Sequence, residues 1–405
     1  MVLLAMEVSI HLAWTIITPV LPKFAKSLSV GAFEIGLIFA VFGVGRMVIN
    51  VPAGQFAERL GRRAVLLGGA GVVVISVFLS GMANDIWLLL FWRFVTGLGG
   101  GAFTTAGMTI LADITTLRTR GRVMAIYQGS MLVGAAMGPV PGGFLGEYFG
   151  FRAPFLFSAV LALVFTLWGL LRLKETKGWR LSESGVGHGV AHSRPAGWGG
   201  LRLLTDVSFL LICLVNFTTF FTRIGGRNTV VPLVAYEQIY LSESQLGTVL
   251  GMAAILDFAM LYFSGWMVDR FGRKSVIVPS NLLIGLSMFL FAISGSLPLF
   301  LIATATMGIG MGVGGPAPAA YVADLAQDGL RGITMGLYRT FGDVAYFIGP
   351  LLVGWLADFQ GRGWALNFNA ALVVVVAILF WAFARETLTP ELRRRLAQVP
   401  REVKG

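Results

Sequence analysis

The sequence predicts an all-α membrane protein with twelve transmembrane helices, arranged as two six-helix halves related by a parallel pseudo-two-fold repeat. Three observations predict this fold class: the composition, the spacing of the apolar runs and an internal repeat. Of the 405 residues, 56% are hydrophobic and 13% are charged, and the mean hydropathy is +0.79. A soluble protein is nearer half apolar and a quarter charged. A soluble domain of this length cannot bury so much apolar surface, so the expected solvent is a bilayer.

Twelve apolar runs are long enough to cross a membrane, which requires about 20 residues for a hydrocarbon core of roughly 30 Å. Glycine and proline inside these runs are tolerated in packed membrane helices. The single cysteine, Cys213, lies in the seventh run, which excludes an internal disulfide framework. We number the runs as spans 1 to 12 in chain order: 1–27, 34–57, 64–83, 87–112, 123–146, 152–172, 206–231, 244–268, 275–294, 298–323, 334–357 and 364–384.

The net charge of +11 is distributed unevenly along the chain. Of the 31 lysines and arginines, only Lys23, Lys26, Arg152 and Arg362 lie in the predicted outer loops or at the adjoining span ends, and most of the others lie in the opposite loops and the C-terminal tail. This asymmetry follows the positive-inside rule and places both termini in the cytoplasm. We therefore expect a multi-pass protein of the cell membrane, inner or plasma, in contact with the lipid bilayer. The positive charge marks topology and does not indicate nucleic acid as a partner.

A decapeptide occurs twice, as GQFAERLGRR at 54–63 and as GWMVDRFGRK at 265–274. The offset of 211 residues continues without a gap well beyond the decapeptides, and it pairs Pro139 with Pro350. Each half contains six spans, an even number, so the two halves have the same orientation in the membrane. The chain therefore contains two copies of a six-helix unit.

The repeat and the composition divide the chain into four segments. Residues 1–172 form the N-terminal six-helix half, and residues 206–384 form the C-terminal half. Residues 173–205 are Gly-rich and basic, which suits a flexible cytoplasmic linker. Residues 385–405 form a solvated basic tail in the cytoplasm.

Both decapeptides match the pattern G-x-x-x-[DE]-R-x-G-R-[RK], in the loops after spans 2 and 8. On this motif and its duplication, residues 1–384 resemble a twelve-helix transporter of the major facilitator superfamily. The resemblance implies the major facilitator fold, with the substrate site near the bilayer midplane between the halves. It also implies that the decapeptides hold the halves together in the outward-facing state.

Particular residues of the decapeptides have predicted structural roles. Gly54 and Gly265 are expected to let a neighbouring helix approach closely. Glu58 or Asp269 is expected to cap a facing helix N-terminus, where a negative charge is favoured, although Glu58 replaces the usual aspartate. The arginines are expected to pair with acids at the inner ends of spans 4 and 10. The gating set is Gly54, Glu58, Arg59, Gly61, Arg62, Gly265, Asp269, Arg270, Gly272, Arg273, Asp113 and Asp324.

Two further motifs resemble the twelve-span drug:proton antiporter branch of this superfamily. TPVLPKFA at 18–25 places a Pro-Val-x-Pro pattern near the outer end of span 1, where proline frees backbone carbonyls. GAAMGPVPGGFL at 134–145 resembles the antiporter signature on span 5, except that Ala125 replaces an upstream glycine. The pattern favours export, and the alternative is a kinked, closely packed helix. Its residues are Gly134, Gly138, Pro139, Gly142 and Gly143.

Away from the span ends, eight charged residues and one histidine lie inside the predicted spans. A charge at the centre of a membrane is costly unless it faces a partner or water, so these residues indicate a polar path through the interior. The predicted proton-coupling set is Asp343, Asp257, Glu7, Arg46, Arg93 and Arg339. The predicted substrate-cavity set is His11, Trp14, Phe217, Phe220, Arg223 and Arg227.

Arg46 and Asp343 are expected to form an ion pair between spans 2 and 11. Both lie roughly 18 Å from the inner surface, counting 1.5 Å per residue along the helix. Protonation of Asp343 would release Arg46 and loosen the interface between the halves, while Arg339, one turn away, competes for Asp343. The alternative is a static ion pair that only specifies assembly. The resemblance also assigns Arg93, on span 4, a part in proton transfer.

The other ionisable residues inside the spans each have a candidate role, and for most of them more than one role is possible from the sequence. Asp257 is expected to face span 5 without an obvious cation, and it is a second candidate proton carrier. Glu7 is expected to pair with His11 one turn later, or else to reach the inner membrane surface. Arg223 and Arg227 share one face of span 7, where they would meet an anionic substrate group, lipid headgroups or the outer gate.

The leading function hypothesis is a proton-coupled antiporter that exports small hydrophobic or amphipathic compounds by alternating access. The alternative is a proton symporter or facilitator for uptake of a small organic solute, which the surplus of arginines allows to be anionic. We expect a monomer whose partners are the small-molecule substrate and protons.

The remaining function classes are not expected. No nucleophile, metal set or acid–base dyad is clustered, which argues against an enzyme. The phosphate-binding motif GxxxxGK[ST] does not occur, so ATP is not expected to drive transport. We expect no metal or cofactor, because His188 and His192 are only two ligands in a flexible linker.

Overall fold

The computed structural model describes residues 1–115, 117–177, 205–326 and 331–387. Within these ranges all regular secondary structure is helical. Ten helical segments are long and apolar enough to cross a membrane, and the bent pair Val2–Ile17 and Leu21–Ser27 forms an eleventh span. Most of the predicted linker and tail, with His188 and His192, lies outside the described residues.

Each predicted span corresponds to a helix or to consecutive helical segments. Spans 1 to 6 comprise Val2–Ile17 with Leu21–Ser27, Ala32–Leu60, Arg62–Gly81, Ile86–Ile114, Leu117–Met137 with Pro139–Phe149, and Ala153–Arg172. Spans 7 to 12 comprise Val207–Phe221 with Thr222–Val230 and Val231–Glu237, Glu243–Phe271, Lys274–Ala292, Leu297–Gly314 with Ala317–Leu325, Arg331–Phe359, and Arg362–Phe383. The middle segment of span 7, Thr222–Val230, is a π-helix.

Three spans are interrupted next to prolines, because proline lacks the backbone donor and clashes with the preceding turn. Span 1 bends by 47° around Pro19, and span 5 breaks at Gly138, directly before Pro139. Span 10 is interrupted at Pro316. The Pro-Val-x-Pro and antiporter motifs therefore both mark helix breaks within the membrane.

Two tight turns occupy equivalent positions in the two halves. Gly61 follows span 2 with φ of +105°, and Gly272 follows span 8 with φ of +103°. Residues with a side chain rarely adopt this conformation. The second glycine of each decapeptide is therefore required by the backbone of the turn.

The two halves pack through span 2 against span 11 and span 5 against span 8. Glycines permit both contacts. A β-carbon at Gly36 would lie 2.7 Å from the carbonyl carbon of Pro350, and one at Gly247 would lie 3.0 Å from the α-carbon of Gly143. Gly36 and Gly247 are related by the 211-residue offset, so equivalent small residues bring the halves together on both sides of the interface.

The prediction that a neighbouring helix approaches closely at Gly54 and Gly265 is wrong for this conformation. A β-carbon added at either position would meet nothing within 4 Å. The reason is that spans 2 and 8 contact the opposite half through their outer and central portions, whereas these two glycines lie near the inner ends.

Candidate functional site

Two equivalent helix caps join the halves at one side of the molecule, which the charge distribution predicts to be the outer side; the opposite side is the predicted inner side. Asp358, at the end of span 11, accepts hydrogen bonds from the backbone N–H groups of Ala32 (2.9 Å) and Phe33 (2.8 Å), which begin span 2. Glu147, at the end of span 5, accepts one from the backbone N–H of Ser244 (2.9 Å), which begins span 8. Glu147 and Asp358 are themselves related by the 211-residue offset. Free N–H groups and the helix dipole favour a carboxylate here, and we call these two contacts the outer caps.

Side-chain contacts between span 1 and the C-terminal half add to this closure. The Lys23 ammonium lies 2.6 Å from Oε1 of Glu243, and the Tyr236 hydroxyl donates to the carbonyl of Pro19 at 2.5 Å. A further ion pair across the same side is Lys26–Glu237. The halves are thus closed against each other at this side of the molecule.

At the inner side, the described contacts tie each decapeptide to its own half. Nε of Arg62 lies 3.0 Å from Oδ2 of Asp113, and Nε of Arg273 lies 2.9 Å from Oδ2 of Asp324. The expected arginine–aspartate pairs are therefore present, within one half each. Glu58 and Arg59 are exposed, the Arg270 guanidinium lies over Trp266, and the side chain of Asp269 is outside the described part of the chain.

Two glutamates that the sequence analysis missed cap the helices after the decapeptides. Glu175 accepts hydrogen bonds from the first two N–H groups of span 3, at 2.9 and 3.1 Å. Glu386 accepts them from the N–H groups of Arg273 and Lys274, both at 3.1 Å. Burial acts to raise the pKa of Glu175, but hydrogen bonds from four backbone N–H groups hold it below its ordinary value. The 211-residue offset relates the two glutamates and would have revealed them.

An ion pair lies at the centre of the molecule. Nη2 of Arg223 on span 7 lies 3.6 Å from Oδ2 of Asp257 on span 8, so the expectation that Asp257 lacks a cation is wrong. Spans 7 and 8 are consecutive and cross the membrane in opposite directions, and Arg223 precedes Glu237 by as many residues as Asp257 follows Glu243. Equal depth, about 21 Å at 1.5 Å per residue, is the sequence signal that predicts this pair.

The ion pair borders a cavity of about 160 Å³ between the two halves. Spans 1 and 5 of the N-terminal half and spans 7 and 8 of the C-terminal half form its walls. Among the predicted residues, Arg223, Arg227, Asp257 and Pro139 line it. A larger depression of about 420 Å³ lies at the outer surface around Arg152 and contains none of the predicted site residues.

The other predicted cavity residues pack within their own halves. His11 and Trp14 contact each other, with ring centres 4.7 Å apart. Phe217 stacks on Phe221 at 5.8 Å. A β-carbon at Gly342 would lie 3.2 Å from the Phe220 ring, so this phenylalanine packs on span 11. These four predicted residues do not line the described cavity.

A second buried cluster lies in the N-terminal half. Glu7 is 0% exposed, and its Oε1 lies 3.2 Å from Nδ1 of His11. The side chain of Tyr127, on span 5 of the same half, is also 0% exposed. Glu7 therefore faces the protein interior and does not reach the membrane surface.

The ion pair expected between Arg46 and Asp343 is absent from the described contacts of this conformation. The Arg46 guanidinium instead lies 5.7 Å from the centre of the Trp14 ring, a cation–π contact. Asp343 is exposed, and no described hydrogen bond or ion pair joins it to Arg46 or Arg339. Similar depth along the two helices is therefore not enough to place the two charges in contact, and the Arg46 guanidinium lies over Trp14 instead.

Arg93 makes a similar contact. Its buried guanidinium lies 5.1 Å from the centre of the Phe42 ring, and the rings of Phe42 and Trp14 are 5.2 Å apart, edge to face. Arg46 and Arg93 thus flank the aromatic pair of Trp14 and Phe42.

The antiporter signature forms the contact between span 5 and its neighbours. A β-carbon at Gly138 would lie 2.7 Å from the backbone nitrogen of Ile16, and one at Gly134 would lie 3.1 Å from that of Leu12, both on span 1. Gly142 also packs on Ile16, while Gly143 faces span 8. The signature glycines therefore hold spans 1, 5 and 8 together beside the cavity.

The family model for the Major Facilitator Superfamily matches residues 3–233 and 213–403. The chain belongs to this superfamily. The predicted all-α fold with two six-helix halves is confirmed, and the protein is a multi-pass integral membrane transporter of small molecules and not an enzyme.

Two curated relatives match most of the chain. Multidrug resistance protein 2 of Bacillus subtilis is 23% identical over 348 residues, which are 85% of this chain and 85% of the relative. Quinolone resistance protein NorA of Staphylococcus aureus is 23% identical over 375 residues, which are 91% of this chain and 93% of the relative.

Solved structures share the fold at low sequence identity. A bacterial homolog of the human lysosomal transporter Spinster, in an inward-facing and unoccupied conformation, has a TM-score of 0.77 and 16% identity, covering 94% of this chain and 95% of its own. A D-xylose-proton symporter has a TM-score of 0.74 and 16% identity, covering 96% and 98%.

Proposed function

We propose that this protein is a proton-coupled secondary transporter that exports small hydrophobic or amphipathic compounds by alternating access. The observation that carries the proposal is the cavity between the halves, which combines the Arg223–Asp257 ion pair with largely apolar walls. A site between two rocking halves opens to one side of the membrane at a time. The relatives named for multidrug and quinolone resistance support the export direction.

Proton coupling is proposed to use the buried and central acids. A carboxylate that takes up a proton loses its charge and its attraction to a neighbouring arginine. At Asp257 this loss releases Arg223 and changes the charge of the cavity, which links proton binding directly to the substrate site. Glu7 beside His11 is a second proposed proton site, and Asp343 a third. Arg46, Arg93 and Arg339 set the electrostatic field around these acids.

The membrane topology and the division into segments are proposed from the charge distribution and the internal repeat. Both termini lie in the cytoplasm, and the protein acts as a monomer in the cell membrane. The segments are the halves 1–172 and 206–384, the linker 173–205 and the tail 385–405. The decapeptides and the antiporter signature on span 5 act as gates, contacting the opposite half or opening as the halves rock.

Proton-coupled uptake of a small organic solute is the second candidate. One feature of the cavity favours uptake of an anionic solute: two arginines and only one carboxylate line the cavity, which leaves a positive charge. A substrate that enters with a proton would bind best when Asp257 is neutral.

The test is proton flux in proteoliposomes containing the full-length protein and a trapped pH dye. Ethidium, a lipophilic cation, and 2-naphthoate, a lipophilic anion, are added in turn under an imposed pH gradient. Antiport predicts that substrate movement in one direction drives protons in the other. Movement of substrate and protons together would replace export with the uptake alternative. Substrate movement without protons would remove the coupling.

A further inference from the structure

The cavity carries an unbalanced positive charge. Arg223 is paired with Asp257 at 3.6 Å. Arg227 lines the same cavity one helical turn away, and within the described residues its side chain donates only to the Met311 sulfur, at 3.9 Å. One guanidinium therefore faces the cavity without a carboxylate, where an uncompensated charge is costly.

The backbone of span 7 holds both arginines in place. They lie on the π-helix Thr222–Val230, a form of helix that is frequent at functional sites. Behind them, a β-carbon at Gly225 would lie 2.6 Å from the carbonyl oxygen of Gly349, and one at Gly226 would lie 2.9 Å from the Met288 sulfur. Close packing on that side leaves the arginines directed to the cavity, preorganised for an occupant.

The rest of the cavity is mostly apolar. Its walls include Leu132, Leu250, Ala254, Phe258 and Leu261. A guanidinium presents a planar fork of N–H donors that matches a carboxylate or phosphate with two hydrogen bonds. The occupant that fits is therefore an apolar molecule with one anionic head.

Resting on the proposed transport function, we propose that the substrates are amphipathic organic anions, whose anionic head binds Arg227 while their apolar body lies against spans 5 and 8. Arg223 is paired with Asp257, so it contacts the anionic head only after Arg227 has bound it. A single negative charge neutralises the excess on the cavity, so a monoanion fits better than a neutral or cationic molecule of the same shape. A lipid headgroup offers the same chemistry, and the experiment separates the two sources.

The test compares three probes with one apolar body: 2-naphthoate, 2-naphthamide and 2-naphthylmethylammonium. Binding to the full-length protein is measured by calorimetry in nanodiscs of phosphatidylcholine. We expect 2-naphthoate to bind at least about tenfold more tightly than the amide, with the ammonium probe weakest. Equal affinities, or a preference for the ammonium probe, would overturn the proposal. Loss of the preference in nanodiscs containing phosphatidylglycerol would assign the site to anionic lipid and also overturn it.

Variants locate the effect. In Arg227→Gln we expect 2-naphthoate to lose about tenfold in affinity and the amide to bind as before, while Arg227→Lys keeps part of the preference. Arg152→Gln, on the outer surface, is the matched control. An unchanged naphthoate affinity in Arg227→Gln, with unchanged thermal stability, would contradict the assignment. Export of ethidium with proton counterflow, but without any preference for 2-naphthoate, would leave the proposed function standing and remove this inference alone.

Discussion

The helix ends of the two halves have kept equivalent contacts, whereas the central residues of the two halves differ. At the ends, the repeat is reproduced in the side-chain contacts: the Nε–Oδ2 distances of Arg62–Asp113 and Arg273–Asp324 are 3.0 and 2.9 Å. The inner glutamate caps and the outer caps also occur in equivalent pairs. These contacts fix helix termini, which both copies of the unit need equally.

The centres have diverged. The 211-residue offset pairs Arg46 with Asp257 and Arg93 with Thr304. Charges that only one half carries are not needed to build the six-helix unit, because the other half folds without them. Symmetric contacts thus build the molecule, and we propose that the asymmetric charges serve substrate and protons.

The largest effect is expected from filling the symmetric interface. Gly36→Val and Gly247→Val place side-chain atoms where backbone of the opposite half already lies, and overpacking costs about 1–3 kcal/mol or more. We expect both variants to lose most folded protein in fluorescence-detected size exclusion. Gly68→Val is the control, since a β-carbon there meets nothing within 4 Å. A large loss in one half with none in the other would break the symmetry argument.

The outer caps are expected to have an intermediate effect. Asp358→Ala and Glu147→Ala each remove a cap worth about 1 kcal/mol, which is roughly a fivefold change in the ratio of outward-open to closed molecules. Spin-label distances between the outer ends of spans 2 and 11 measure this ratio. Asp85→Ala is the control, because Asp85 caps span 4 within its own half. If the control opens the outer side as much as the two variants, the caps do not hold the halves.

The smallest effect concerns pH at the inner side. The pKa of Glu175 is held below its ordinary value in the folded protein, so its stabilising contribution is present above the unfolded pKa, about 4.3, and is lost as pH falls through the folded pKa. We expect Glu175→Gln to flatten the acid limb of thermal stability, with Asp85→Asn as control. An acid limb identical to that of the wild type would show that the cap adds no measurable stability.

The positions of the spans and loops could be predicted from the sequence better than the side-chain contacts at the centre of the molecule. Runs of apolar residues set the helix positions, and the repeat located the arginine–aspartate pairs because both partners lie next to turns of fixed geometry. The expected contact of Arg46 with Asp343 is not found in this conformation, since depth along a helix does not give the direction of a long side chain beside Trp14. Glu147 and Asp358 were missed although the offset relates them, because a cap across the interface requires knowing which helix begins beside which acid.

The central claim is that coupling resides in the asymmetric centre, and Asp257→Asn tests it most directly. Substrate-driven proton flux is measured in proteoliposomes for the wild type and the variant, with folded yield and substrate binding measured alongside. We predict at least about a tenfold loss of flux, with fold and binding retained, because the neutral side chain can no longer exchange a proton beside Arg223. Flux equal to that of the wild type would contradict the account and move the coupling to Asp343 or Glu7.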